Sequence, residues 1–211
     1  MTYYPIYLNL HNRPCVVVGG GTIAEGKIKG LLEAGARVTV VAPQVTAGVA
    51  GLAKRGELDW QERNYRPGDL AQAYLAISAT DDRQINTQVW QEAQARSIPV
   101  NVVDVPPLCD FIAPAIVRHG DLTLAISTNG KAPALAAHLR RVLEKSLGHE
   151  YSRFLEHAEA LRAEVAQRGL PYTQRQRLWQ HLLEETPLLD LMRQGEEDAA
   201  LALARQVLLT P

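Results

Sequence analysis

The strongest constraint on the fold is Gly19-Gly20-Gly21-Thr22-Ile23-Ala24. It is set between the apolar run Cys15-Val16-Val17-Val18 and a helical pattern of Ile23, Lys27, Ile28, Leu31 and Leu32. This is G-x-G-x-x-A at the junction of a strand and a helix. Gly19 permits the tight turn, Gly21 lets the backbone approach a diphosphate, and Ala24 allows close packing of helix on sheet. A diphosphate there meets the unpaired N–H groups and positive dipole end of the helix. The motif alone also suits a tight turn that binds nothing. Its place at the head of the chain, opening a strand–helix–strand pattern, favours a dinucleotide.

The pattern continues in that rhythm. Gly35 closes the first helix, Arg37-Val38-Thr39-Val40-Val41 reads as a strand, and Val45, Val49, Leu52 and Ala53 fall at helical spacing up to Gly56. Leu58-Asp59-Trp60-Gln61 is a weaker strand and Tyr74-Leu75-Ala76-Ile77-Ser78 a stronger one. A helix is predicted over 82–95, then the strand Pro99-Val100-Asn101-Val102-Val103. Strands alternating with helices, the strands continuously apolar, predict a parallel sheet covered on both faces. Residues 1–113 are assigned to this Rossmann-type domain.

Beyond it the grammar changes. Ile116–His119 and Leu122–Ser127 flank Gly120-Asp121 as an antiparallel hairpin, followed by a helix over 133–145 with Leu135, Leu139, Val142 and Leu143 on one face. These form a short segment, 114–147. Residues 148–211 read as all-helical, with helices near 150–167, 174–185 and 197–208 broken at Gly169-Leu170-Pro171, Thr186-Pro187 and Gly195. Of 17 valines 15 precede residue 148, and only two of 15 glycines follow it, so sheet gives way to helix.

Several classes are disfavoured. A net charge of −1, with the helical tail carrying 7 Lys/Arg against 10 Asp/Glu, gives no basic footprint for nucleic acid. No apolar run is long enough to span a bilayer, and Met1-Thr2-Tyr3-Tyr4-Pro5 does not read as a leader. Two cysteines cannot build a disulfide framework, and the six histidines lack metal-site spacing. A cytoplasmic chain without a resident metal is the expectation. One departure from the dinucleotide fingerprint matters. The second strand ends Val41-Ala42-Pro43-Gln44, without the acid that holds a ribose 2′-hydroxyl or an Arg for a 2′-phosphate, so NAD and NADP are not distinguished by these residues.

With these residues in view, the chain resembles the precorrin-2 dehydrogenase family, which also forms the N-terminal module of siroheme synthases. The likeness rests on Pro5-Ile6-Tyr7-Leu8-Asn9-Leu10, the glycine turn, Leu32-Glu33-Ala34-Gly35-Ala36-Arg37-Val38-Thr39-Val40, Ala79-Thr80-Asp81-Asp82, Asn101-Val102-Val103-Asp104-Val105-Pro106, Phe111-Ile112-Ala113-Pro114-Ala115-Ile116 and Ser127-Thr128-Asn129-Gly130-Lys131-Ala132-Pro133. Arg175-Gln176-Arg177-Leu178-Trp179 adds a match in the tail. The resemblance implies NAD as cofactor, a homodimer with 114–147 as its dimerisation segment, and oxidation of precorrin-2 to sirohydrochlorin. In some members insertion of Fe²⁺ follows. It also implies dinucleotide contacts at Gly19, Gly21, Thr22, Ile23, Ala24, Pro43, Gln44, Thr80, Asp81 and Asn101.

Asp104 ends the fifth strand before Val105-Pro106-Pro107, at the carboxyl edge of the sheet. Its position fits a base that removes the proton accompanying hydride loss, and equally an acid that starts a turn. The resemblance favours the base. Ser127, Thr128, Asn129, Gly130 and Lys131 offer hydroxyls, N–H groups and one cation to the carboxylates of such a substrate, or cap the helix that follows. A different class of protein, an NAD-sensing regulatory module without turnover, is the alternative.

Overall fold

The computed structural model describes residues 3–209. Met1 and Thr2, part of the stretch read for a leader, lie outside the described residues, as do Thr210 and Pro211 at the end of the helical tail. Contacts divide the chain into two compact units, one up to Ala113 and one from Pro114 onward.

The first unit runs β1 (Pro14–Val18), α1 (Thr22–Glu33), β2 (Arg37–Val41), α2 (Ala47–Lys54), β3 (Asp59–Gln61), β4 (Leu75–Ser78), α3 (Arg83–Ala95) and β5 (Val100–Val102). All five strands are parallel, in the order β3-β2-β1-β4-β5. The sequence grows outward from β1 in one direction and then, after β3, in the other. The order therefore reverses between β1 and β4, where an open α/β sheet leaves a crevice. Alternate strand residues serve opposite faces. Cys15, Val17, Val38, Val40, Leu75 and Ile77 pack with Ala24, Ile28, Leu31, Val49 and Leu52 of α1 and α2. Val16, Val18, Val41, Ala76, Val100 and Val102 pack with Val89 and Ala93 of α3. Burial on both sides explains why the strands read as unbroken apolar runs. It also pushes the Cys15 thiol up to about 11, so this residue is a protonated core side chain.

The connection from β3 to β4 is long and irregular, and Glu92 of α3 holds it. Its carboxylate accepts from the Tyr65 hydroxyl (2.5 Å), Gly68 N–H (2.8 Å), Leu70 N–H (3.3 Å) and Arg96 Nε (2.9 Å). Burial alone would raise its pKa; these donors outweigh burial and hold it below the ordinary value.

The second unit opens with the antiparallel hairpin β6 (Ala115–His119) and β7 (Leu122–Ile126), in which His119 faces Leu122. Helix α4 (Pro133–Ser146) follows. Only Ala136 of α4 is buried, and Leu135, Leu139 and Val142 are 49%, 38% and 43% exposed. The predicted apolar stripe exists: Leu143 is half-buried, whereas Leu135, Leu139 and Val142 stay uncovered among the described residues. Helices α5 (Glu150–Gln167), α6 (Tyr172–Glu184), α7 (Leu188–Gln194) and α8 (Glu197–Leu209) then share a core of Phe154, Leu161, Val165, Leu182, Leu188, Met192, Ala200, Ala204 and Leu208.

Helix α7 is absent from the sequence reading, which placed only breaks there. Those breaks are its ends. The Thr186 hydroxyl accepts from the Leu188 N–H, Pro187 occupies the N-cap, and Gly195 closes the helix at φ +83°. Seven residues are too few to display a helical period.

The depressed pKa of Glu92 sets a pH signature. A carboxyl whose folded pKa lies below its unfolded one contributes stability above the unfolded value and loses it as pH falls through the folded value. Glu92→Gln should lower unfolding stability by about 1–3 kcal/mol at pH 7. The difference from wild type should shrink as pH falls below about 4.3. Denaturant titrations at pH 7 and at acid pH check both statements.

Candidate functional site: the carboxyl edge of the parallel sheet

Parallel strands all end on one side, and the register makes that side a row. Val41 pairs with Val18, Val18 with Ser78, and Ser78 with Val102. The loops leaving this row carry Gly19–Ala24, Ala42–Gln44, Ala79–Asp82 and Val103–Asp104. Every residue expected to meet a dinucleotide, and Asp104 as well, therefore belongs to one edge or the strand residue just inside it.

The glycine turn is built by close backbone approach. Gly19 has φ +116°, and a Cβ on it would stand 2.1 Å from the Ala79 carbonyl oxygen. A Cβ on Gly20 would stand 2.2 Å from the Gln44 carbonyl oxygen. Gly19 N–H donates to Val41 O (3.0 Å), and Gly20 O accepts from Thr46 N–H (2.9 Å). Gly21 differs: it has φ −74°, and nothing lies within 4 Å of where its Cβ would be. It is the N-cap of α1 and supplies no side-chain cap. The first intrahelical bond is Glu25 N–H to Gly21 O, leaving the N–H groups ahead of it free of helical acceptors. Thr22 and Ile23 are exposed there, whereas Ala24 is fully buried against the sheet. The open space above Gly21, at the positive end of α1, fits a dinucleotide diphosphate.

An acid in the first turn of α1 would oppose an anion, and Glu25 is such an acid. Its charge is engaged elsewhere. The carboxylate meets Lys29 Nζ at 2.6 Å and accepts from the Thr46 hydroxyl at 2.6 Å. Lys29 and then Thr46 hold its pKa below the ordinary value. Thr46 in turn caps α2 by accepting from Val49 N–H. Pro43 and Gln44 are exposed at the end of β2.

At the end of β4, Ser78 and Asn86 form a buried polar pair. Ser78 Oγ donates to Asn86 Oδ1 (2.7 Å), and Asn86 Nδ2 donates to Thr80 O (3.0 Å). Asp82 caps α3 through the Gln84 and Ile85 N–H groups, which leaves Thr80 half-buried and Asp81 exposed at the rim. Asn101 lies one residue inside the end of β5. It occupies the middle of β5, only 7% exposed, and its Nδ2 donates to Phe111 O at 2.9 Å. Its amide nitrogen is thus committed to holding the loop that follows β5.

Asp104 lies two residues beyond β5, exposed, with φ +61°. Asp is among the few residues other than glycine that adopt this left-handed backbone. Its turn is closed by Val105 N–H to Val102 O (3.1 Å) and tied to the next strand by Val103 N–H to Ser78 O (2.9 Å). β5 is two strands from β1, so the turn stands about 10 Å across the sheet from the glycines.

Ser127–Lys131 belong to the second unit, between β7 and α4. Ser127 Oγ accepts from Asn129 N–H (3.0 Å) and Thr128 Oγ1 from Ala132 N–H (3.2 Å). Asn129 and Gly130 have φ +52° and +77°. The hydroxyl oxygens shape this loop, while Ser127, Asn129, Gly130 and Lys131 are exposed. Among the described residues no three His, Cys, Asp or Glu side chains form a metal-sized cluster.

Sequence reasoning passed over Gly20, Glu25, Asn86 and Cys109. Gly20 fills an unspecified position of the motif, yet a side chain there is blocked by backbone. The hydrogen bonds of Glu25, Asn86 and Cys109 link residues that the pattern alone does not bring together.

A parallel sheet of this order, with a glycine turn at its reversal point, defines a dinucleotide-binding domain. Known proteins agree. The putative NAD(P)-binding family matches residues 6–115, the sirohaem biosynthesis protein central segment matches 119–146, and the sirohaem synthase dimerisation region matches 150–208. The chain belongs to this NAD(P)-binding family and carries the two sirohaem segments behind it. Siroheme synthase 1 of Aeromonas salmonicida is 40% identical over 204 residues, covering 97% of this chain and 44% of the relative. The siroheme synthase of Methylobacillus flagellatus is 41% identical over 208 residues, covering 99% and 44%. The chain thus spans less than half the length of these curated relatives. Among solved structures, SirC, a precorrin-2 dehydrogenase, aligns with a TM-score of 0.76 at 26% identity, covering 97% of this chain and all of that one.

The glycines should separate folding from binding. Gly19→Ala should lower stability by at least about 1–3 kcal/mol, since it adds backbone strain and a clash. Gly21→Asp, which places a good N-cap in open space, should leave the melting temperature near wild type. It should weaken NAD⁺ binding at least about tenfold, because its carboxylate takes the place of a diphosphate. Thermal melts and calorimetric titration with NAD⁺ check the pair.

Proposed function

We propose that this chain is an NAD-dependent precorrin-2 dehydrogenase that forms sirohydrochlorin, acting as a homodimer in the cytoplasm. One observation carries this reading: an exposed carboxylate, Asp104, on the same sheet edge as the dinucleotide turn. The likeness to a precorrin-2 dehydrogenase over the whole of that structure supports the choice of substrate. No helix among the described residues is long and apolar enough to cross a membrane, which is compatible with that compartment.

In this reading Gly19–Ala24 holds the diphosphate on α1, and exposed Ile23 offers an apolar contact beside it. Pro43 and Gln44 meet the adenosine ribose through backbone groups and the Gln44 amide, in place of the missing acid. Thr80 and Asp81 line the crevice, and Asn101 acts by holding the wall behind it. When bound, NAD⁺ supplies the hydride acceptor. Asp104 takes the proton that the oxidised macrocycle must lose. The same carboxylate is available to take pyrrole N–H protons when Fe²⁺, as a substrate, enters the ring. Ser127–Lys131 contribute hydroxyl and N–H donors and one ammonium to the substrate carboxylates.

The uncovered stripe of α4 is assigned to the dimer. Three large apolar side chains on a helix that buries only one alanine suit a second copy of the same face. The match to a dimerisation region covers residues 150–208, beyond α4, so it supports a dimer and leaves the choice of α4 to the exposed stripe alone.

An anaerobic assay with precorrin-2 and NAD⁺ tests the chemistry. Wild type should produce NADH and sirohydrochlorin, and Asp104→Asn should lose at least about 100-fold in turnover while binding NAD⁺ normally. Near-normal turnover of the variant removes Asp104 from the mechanism. A wild type that binds NAD⁺ yet yields no NADH favours the sensing module. Adding Fe²⁺ afterwards reads chelation separately.

Leu139→Arg should convert the dimer to monomer in sedimentation velocity, because it places a charge in the centre of the apolar stripe. A variant that stays dimeric moves the interface elsewhere.

A further inference from the structure

The turn that carries Asp104 is gripped from behind by a thiol. After that turn the chain makes one short 3₁₀ segment, Pro106–Leu108, and brings Cys109 back beneath it. Cys109 Sγ lies 3.1 Å from Val102 O and 3.4 Å from Val105 O, the carbonyls at the two ends of the turn. Asn101, buried in β5, donates its Nδ2 to the same sulfur at 3.4 Å and to Phe111 O at 2.9 Å. Leu108 N–H donates to Val105 O and Cys109 N–H to Pro106 O, so the sulfur is held by backbone as well. The result is a clamp spanning the one residue of the segment that stands at φ +61°.

We propose that Cys109, held by Asn101, is a positioning residue for Asp104. Its single S–H proton is shared between Val102 O and Val105 O and keeps the turn in the left-handed form that presents the carboxylate. The clamp needs the proton, and burial, the leading cause, raises the Cys109 pKa and keeps it there. A thiol is a weak donor, so its effect on overall stability is small. Its effect on chemistry is larger, because displacing a reacting group by about 1 Å can cost about 100-fold in rate. Half-buried and protonated, Cys109 is poorly suited to act as a nucleophile itself. This inference rests on the reading of Asp104 as the base.

The test uses the full chain with NAD⁺ and precorrin-2, comparing Cys109→Ala, Cys109→Val, Cys109→Ser and Asp104→Asn. C109A and C109V both lack the proton, one leaving space and the other filling it. Each should lower kcat by about tenfold. NAD⁺ affinity, KM for NAD⁺ and melting temperature should stay near wild type. C109S, whose hydroxyl can donate to the same carbonyls, should recover kcat to within about threefold of wild type. The two unprotonated variants keep the test alive if one of them fails to fold. Wild-type kcat in C109A or C109V, with D104N inactive, overturns the clamp and leaves the base intact. Full turnover in D104N overturns the base and the clamp together. If C109S fails to recover kcat, or NAD⁺ affinity and melting temperature fall together with kcat in every variant, Cys109 is a packing residue and the inference fails.

Discussion

The fold of the first unit depends on two backbone contacts that only glycine permits. Gly19 lies against the Ala79 carbonyl and Gly20 against the Gln44 carbonyl, at distances that leave no room for a methyl group. The first contact closes β1 onto the end of β4, where the strand order reverses, and the second closes it onto the end of β2. Between them they bring three strand ends and the start of α1 to one place. Everything at the edge of the sheet, including the empty space above Gly21, takes its position from that convergence. The helix dipole supplies only the sign of the ligand; the carbonyls supply the shape.

Charge in the first unit is then handled in two ways. Glu25 and Glu92 are enclosed by donors, and their pKa values fall because each carboxylate has partners that favour its charged form. Their protons are of no use to chemistry at neutral pH. Asp104 is exposed at the rim instead. The acids with structural duties are thereby kept apart from the acid assigned to proton transfer. In the second unit Glu150 follows the first pattern: it is 2% exposed and accepts from Arg193 at 2.8 Å.

Much of this architecture is legible in the sequence. Continuous valine runs interrupted by glycines announce a parallel sheet, and the strands and helices of the first unit fall within a few residues of their expected limits. The hairpin and the apolar stripe of α4 are equally plain, because each has a strict period. What period does not carry is harder to see. Helix α7 is shorter than two full repeats of its own pattern. The Glu25–Thr46 and Ser78–Asn86 bonds join residues from different elements. The edge position of Asp104 can be anticipated from β5, but its left-handed backbone and its thiol clamp depend on how the following residues return. Asn101 shows the converse: its place near a strand end points to the crevice, while its burial commits its amide nitrogen to the loop beneath.

The backbone at Asp104 also limits how this position can change over generations. Glutamate keeps the acid but fits a left-handed turn badly, whereas asparagine and glycine fit it well. Lengthening the acid is therefore costly to shape, while discarding it is cheap. A lineage that drifts here is steered toward residues that keep the turn and lack the carboxylate, rather than toward a longer acid.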